Sequence, residues 1–292
     1  MKKRNAKIAI SLVIVAIMLS TAFVYVHQAV SSREVLILMY HDIREEPVED
    51  NPWIITPETF SHQMEMLARR GYTVVSFDDL IAFVNGRGRL PQRSVVVTFD
   101  DGYLSNLIYA APILEDFGIC ATISVIGASM GSDRYRDTDI ESIPSFSFDE
   151  VRPWVERGII HIAHHSYDMH MVEMHEPPET FRRGVMPMDG ESEDEYRAAF
   201  IHDFETLRAM IEENLGTAVI VYVYPYGWFN ETTEAILRER GIQVTLTTYH
   251  GANVIERGNP ETLFLMRRVN MTDELVGDEL IKFLDEIWDF ER

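Results

Sequence analysis

Ser94-Val95-Val96-Val97-Thr98-Phe99-Asp100-Asp101-Gly102 is the stretch on which the fold turns. A run of buried-strand type ends in two adjacent carboxylates and a glycine. A helical segment follows over about 104–117 and stops at Gly118. Such a strand, bounded by turn residues and followed by a helix, is one unit of a parallel sheet covered on its faces. The unit recurs on both sides. Upstream, residues 35–40 form an apolar run, and Thr56 with Pro57 starts a helix carrying Phe60, Met64 and Leu67 that stops at Gly71. Residues 73–77 then read as a strand and 78–84 as a short helix. Downstream, strands are expected at 120–126, 159–163, 219–223 and 243–248. Helices are expected at 149–156, at 232–240, and along the stripe Tyr196, Phe200, Phe204, Leu207 and Ile211. About seven parallel strands alternating with helices over roughly 220 residues predict an α/β fold, a distorted (β/α) barrel. An open doubly wound sheet is the alternative, and in either case chemistry gathers where strands end and helices begin.

The 292 residues are 46% apolar and 25% charged, which excludes a disordered or collagen-like chain. A net charge of −21 argues against nucleic acid as a partner, because phosphate binding needs a cationic footprint. The single cysteine, Cys120, excludes an intrachain disulfide and any zinc site that needs two thiolates. At the N-terminus, Lys2, Lys3, Arg4 and Lys7 precede residues 8–26, which carry no charge. Nineteen residues at ~1.5 Å each span roughly 28 Å, close to the thickness of a bilayer's hydrocarbon layer. Residues 1–30 therefore read as a signal anchor, or as a signal peptide cleaved near Ser20-Thr21-Ala22, with a domain over 35–292 outside the cell. Without the four basic residues the charge becomes −25, so the acidity belongs to that domain.

The strand ends hold the candidates for chemistry. An Asp-Gly after a strand is by itself a turn. Two adjacent carboxylates there also allow one to bind a cation while its neighbour stays free as a base. Residues 161–175 contain five of the ten histidines. Two imidazoles plus one carboxylate leave metal positions open for water and substrate, and Asp101, His165 and His170 could form such a set. The strand ending at Val223 runs into Tyr224-Pro225-Tyr226-Gly227, and the first strand runs into His41-Asp42.

Together these pieces resemble the polysaccharide deacetylases of carbohydrate esterase family 4, the NodB-homology domain, over about residues 35–290. Thr98-Phe99-Asp100-Asp101-Gly102 is similar to the family's first motif, which implies Asp100 as general base and Asp101 as metal ligand. His165-Ser166 through His170 resembles the second motif and implies the other two ligands. Its spacing of five, rather than the commoner four, resembles the branch of poly-β-1,6-N-acetylglucosamine deacetylases of biofilm matrices. Tyr224-Pro225-Tyr226-Gly227 resembles that branch's third motif, which implies an oxyanion contact from the Tyr226 N–H. Val223 stands where other members carry an arginine, and Arg268 is the expected substitute. The usual C-terminal Leu-x-His motif is absent; Met39-Tyr40-His41 resembles the permuted arrangement, which implies His41 as general acid. His164 departs from the small polar residue more usual before the first ligand, as either a supporting group or a spare ligand.

The resemblance implies a metal-dependent hydrolase that removes N-acetyl groups from N-acetylglucosamine units of a surface polysaccharide. Zn2+ fits the donor set best, and Co2+, Ni2+ or Fe2+ would bind similarly. The alternatives are an O-acetyl polysaccharide esterase of the same fold and a catalytically inactive glycan-binding surface protein. Loops 128–147 and 171–195 are expected to shape the groove, and residues 8–26 to contact the membrane.

Overall fold

The computed structural model describes residues 32–48 and 51–290. The expected N-terminal helix over 8–26 lies outside them. Among the described residues no helix is long and apolar enough to cross a membrane. In chain order the elements are β1 (Ser32–Tyr40), β2 (Asp42–Ile43), β3 (Ile54–Ile55), α1 (Pro57–Arg69), β4 (Thr73–Val74), α2 (Phe77–Val84), β5 (Ser94–Phe99), α3 (Ala111–Phe117) and β6 (Ala121–Val125). They continue with α4 (Phe148–Glu156), β7 (Ile160–His164), α5 (Glu193–Leu215), β8 (Val221–Val223), α6 (Glu231–Glu239), β9 (Val244–His250), β10 (Asn253–Glu256), β11 (Met266–Asn270) and α7 (Gly277–Phe290).

Seven of these strands close into a barrel in the order β1-β5-β6-β7-β8-β9-β11 and back to β1, every neighbouring pair parallel. Closure through β1 and β5 rules out the open doubly wound sheet. The β1–β5 register runs from Val35 opposite Ser94 to Tyr40 opposite Phe99, so His41 and Asp100 leave adjacent strands side by side. β10 lies antiparallel to the start of β1, and β4 flanks β5.

Two expectations are corrected. Segment 73–77 is not a barrel strand: only Thr73–Val74 pairs, and α2 starts at Phe77 because Ser76 and Asp79 form a reciprocal capping box. The seventh barrel strand is instead β11, a short segment with two arginines at its centre that conceal its strand character. The helix expected over 104–117 is also divided: a wide π turn, Asn106–Ala110, precedes α3.

Burial follows the barrel's layers. One apolar cluster contains Val35, Ile37, Val96, Val221, Val244 and Leu246 and is joined by Leu80 and Phe83 of α2. The opposite face of β1, Leu36, Leu38 and Tyr40, packs with Phe60, Met64 and Leu67 of α1 in the second cluster. β6 differs: its alternate residues Thr122 and Ser124 are buried yet polar, and Ser124 reaches the site described next.

Candidate active site

The C-terminal ends of β1, β5, β7, β8 and β11 converge on one cleft of about 610 Å³, whose lining includes His41, Asp100, Asp101, His165, His170 and Tyr226. Arg268 lines it as well. The seven residues singled out from the sequence thus meet in one place.

Asp101, His165 and His170 can each offer one donor atom, and these atoms lie within 4.8 Å of one another. The Nε2 atoms of His165 and His170 stand 3.6 and 3.5 Å from Asp101 Oδ1. That oxygen is buried and accepts no hydrogen bond, while Oδ2 accepts one from the Tyr103 hydroxyl at 2.8 Å. An orphaned carboxylate oxygen is costly unless something cationic completes it. His165 is already prepared. Its Nδ1 lies 2.7 Å from Val223 O, which only accepts, so Nδ1 carries the proton and Nε2 keeps its lone pair. Burial pushes His165 down to about 4 against the opposing pull of Asp100, so its imidazole is neutral. Two neutral-capable imidazoles and a carboxylate with a free oxygen fit a divalent cation of the zinc type.

Asp100 is nearly fully buried, and its two oxygens are unlike. Oδ1 accepts from Arg268 Nη1 at 2.8 Å and from Ser124 Oγ at 2.8 Å, whereas Oδ2 faces His41 Nε2 at 3.8 Å. Burial alone would raise this carboxyl. Arg268, His165 and His41 outweigh it and hold the group well below the usual carboxylate range. Arg268 is itself fully enclosed and is fixed at its other end by an Nε bond to Thr247 O at 2.8 Å.

Removing one partner of such a pair leaves a buried charge uncompensated, so Arg268→Ala is expected to cost about 3–5 kcal/mol of stability. Burial then raises Asp100 unopposed by the guanidinium, and the acid limb of the pH–rate profile moves to higher pH. In the intact protein the depressed carboxyl stabilises the fold above its unfolded value of about 3.9. That contribution is lost as pH falls toward the folded value, and the variant is expected to lose most of it. Thermal melts and a pH–rate profile test this; an unmoved acid limb with full activity removes Arg268 from the site.

His41 follows Tyr40, whose hydroxyl donates to Gln63 at 2.9 Å, and its own carbonyl accepts from Asn106 Nδ2 of the π turn at 2.7 Å. The imidazole lies 4.7 Å from the Trp53 ring, and its buried Nδ1 has no partner. The Tyr226 ring lies tilted against His170 at 4.3 Å, and its hydroxyl donates to Met171 O at 2.8 Å. Backbone strain concentrates here: Asp101, Ser166 and Tyr226 have φ of +71°, +71° and +57°. Left-handed non-glycine residues cost on the order of 1–3 kcal/mol each and persist where surroundings over-determine them.

His164 is not a ligand. Its Nε2 lies 3.0 Å from Phe204 O and its Nδ1 accepts from Ser166 N–H at 3.0 Å, so both nitrogens are used. Two partners not expected from the sequence are Ser124 and Tyr103, which bond the adjacent carboxylates of Asp100 and Asp101; the polar alternation Thr122-Ile123-Ser124 in an otherwise apolar strand is the available signal for the first. The groove walls differ from expectation too. Loop 128–147 supplies Ile143 and loop 171–195 supplies no lining residue, while segment 42–54 contributes Arg44, Val48, Asn51 and Trp53. The β2–β3 pairing joins the two ends of that segment, Asp42 opposite Ile54.

The sequence profile of a family described as polysaccharide deacetylase matches residues 87–245. Over 240 residues the chain is 20% identical to the poly-β-1,6-N-acetyl-D-glucosamine N-deacetylase of Staphylococcus aureus (strain MRSA252), covering 80% of this chain and 72% of that protein. Among solved structures it is similar to a de-N-acetylase from Aggregatibacter actinomycetemcomitans, with TM-score 0.73, 22% identity, and 86% and 99% of the two chains covered. IcaB from Ammonifex degensii superposes with TM-score 0.65 at 27% identity, covering 81% and 91%. The profile match spans Asp100, Asp101, His165, His170 and Tyr226, and leaves outside it His41, directly after β1, and Arg268, on β11.

Proposed function

Because the chain belongs to the polysaccharide deacetylase family, we propose that it removes N-acetyl groups from N-acetylglucosamine units of an extracellular polysaccharide. The observation that carries this reading is the Asp101–His165–His170 cluster set beside the buried Asp100–Arg268 pair in one cleft. The relative of known name that acts on poly-β-1,6-N-acetyl-D-glucosamine supports the substrate class.

Asp101, His165 and His170 would hold the cation, Zn2+ first and Co2+, Ni2+ or Fe2+ as substitutes. When bound, such an ion lowers the pKa of the attacking water and polarises the acetyl carbonyl. The chain's own residues do the rest. Asp100 takes the water's proton on Oδ2, since Oδ1 is already engaged by Arg268 and Ser124. The Tyr226 N–H stabilises the carbonyl oxygen as it gains charge, a contact whose loss costs roughly 10²–10³ in rate where measured. His41 gives a proton to the departing amine. Water and amide become acetate and a free amine on the sugar, with one proton taken up by Asp100 and one given by its neighbour His41. The domain over 35–292 would act outside the cell, attached through residues 8–26 or released if they are cleaved.

Acetate release by the purified protein from a β-1,6-linked N-acetylglucosamine oligomer, a chitin oligomer and acetylated xylan tests the reading. Release from the N-acetylated oligomers, with little from xylan, is expected. Preference for xylan replaces the reading with O-deacetylation, and binding without release on any substrate replaces it with a glycan-binding role.

A further inference from the structure

Between the ligand positions His165 and His170 lie four residues whose backbone does not belong to any strand or helix. A loop of this kind would ordinarily leave the second imidazole free to wander. Here α5 grips it from outside the barrel. Asp203, buried in the middle of that 23-residue helix, accepts Tyr167 N–H on Oδ1 at 2.9 Å and Asp168 N–H on Oδ2 at 2.7 Å. The next residue of the same helix, Phe204, offers its carbonyl to His164 Nε2 at 3.0 Å, and the His164 ring stacks on Phe204 and Tyr222 at 4.9 Å each. His164 Nδ1 in turn takes the N–H of Ser166, the left-handed residue directly after the first ligand.

Resting on the metal-dependent reading above, we propose that Asp203 is a positioning residue that presets the separation of His165 and His170 for cation binding, with His164 completing the tie to α5. The two roles are complementary. His164 fixes the chain as it leaves β7, and Asp203 fixes the turn that delivers His170. Both carboxylate oxygens are spent on backbone amides that burial would otherwise strand without partners. Burial raises Asp203 to about 6, against the lowering effect of these amide bonds. The site therefore retains a buried carboxylate at neutral pH where an apolar residue would pack more cheaply. A side chain on a long helix is a rigid mount, and loops carrying ligands gain definition from such mounts. Gly127 belongs to the same arrangement: its N–H donates to Ser166 O at 3.1 Å, and a Cβ there would come within 2.5 Å of the Tyr167 ring.

The test measures zinc affinity by chelator competition on metal-free wild-type protein and on Asp203→Ala and Asp203→Asn, with circular dichroism to establish folding. Amide hydrogen exchange at residues 166–170 is followed in parallel. Zinc binding is expected to weaken by about 10–100-fold in Asp203→Ala. A smaller loss is expected in Asp203→Asn, whose one oxygen keeps one of the two amide bonds, and exchange at Tyr167 and Asp168 should accelerate in both. A purely structural role would lower the melting temperature while leaving the folded protein's zinc affinity unchanged, and that result in Asp203→Ala overturns the proposal. If Asp203→Ala does not fold, wild-type affinity and wild-type exchange in Asp203→Asn overturn it instead. Failure of wild-type protein to take up zinc sinks the metal reading and this proposal with it; zinc uptake unaffected by the substitutions sinks this proposal alone.

Discussion

Asp100→Asn is expected to lower kcat on an N-acetylglucosamine oligomer by about 10³-fold while metal content stays at the wild-type level. A positioned proton acceptor contributes roughly 10²–10⁴ in rate, and the amide of Asn has almost no basicity with which to replace it. Metal should be retained because Asp100 is not one of the three clustered donors. The substitution also strips the buried Arg268 guanidinium of its counter-charge, although the Asn oxygen can still accept from Nη1. Folding must therefore be checked beside activity. His41→Asn supplies the complementary reading. An amine is a poor leaving group without a proton, whereas nitrophenolate leaves from its acetate unaided. Loss of His41 should cripple amide hydrolysis far more than hydrolysis of nitrophenyl acetate. Equal losses on both substrates would take the acid's role away from His41, and normal turnover by Asp100→Asn would take the base's role from Asp100.

His165→Ala is expected to abolish stoichiometric metal binding and reduce activity by about 10³-fold or more. Lewis-acid polarisation of a carbonyl is worth several kcal/mol, and each 1.36 kcal/mol is tenfold in rate. The effect should exceed that of an ordinary ligand deletion, because the His165 ring is already oriented by Val223 O. His164, the adjacent imidazole, has both nitrogens committed elsewhere. A chelator should inactivate wild-type protein, and added Zn2+ or Co2+ should restore it; neither ion should restore the variant at concentrations that saturate wild type. Metal analysis showing full occupancy in His165→Ala would contradict the ligand assignment.

Much of this site is legible in the sequence because most of its residues follow strongly apolar strands closely. Residues 35–40, 94–99, 159–163 and 219–223 announce their own ends, and His41, Asp100, Asp101, His165 and Tyr226 fall within a few positions of them. What escaped was whatever depended on partners distant in sequence. β11 reads poorly as a strand because Arg267 and Arg268 interrupt it, and only closure against β1 and β9 makes Arg268 an interior residue. Segment 73–77 reads well as a strand, yet the capping residues Ser76 and Asp79 draw its second half into a helix. In the sequence Asp203 is one of seven acidic residues on α5. Its burial follows from the packing of α5 against the strand-end loop, which no local pattern encodes.

The seam between β1 and β11 has a consequence for the order of events in making this protein. A ribosome delivers β1 first and β11 almost a full chain later; at about 5–20 residues per second, the gap is on the order of ten seconds or longer. Asp100 and the three clustered donors emerge one after another within that interval, and the guanidinium that pairs with Asp100 follows all of them. The closed barrel, and with it the buried Asp100–Arg268 pair, is completed only by this last stave.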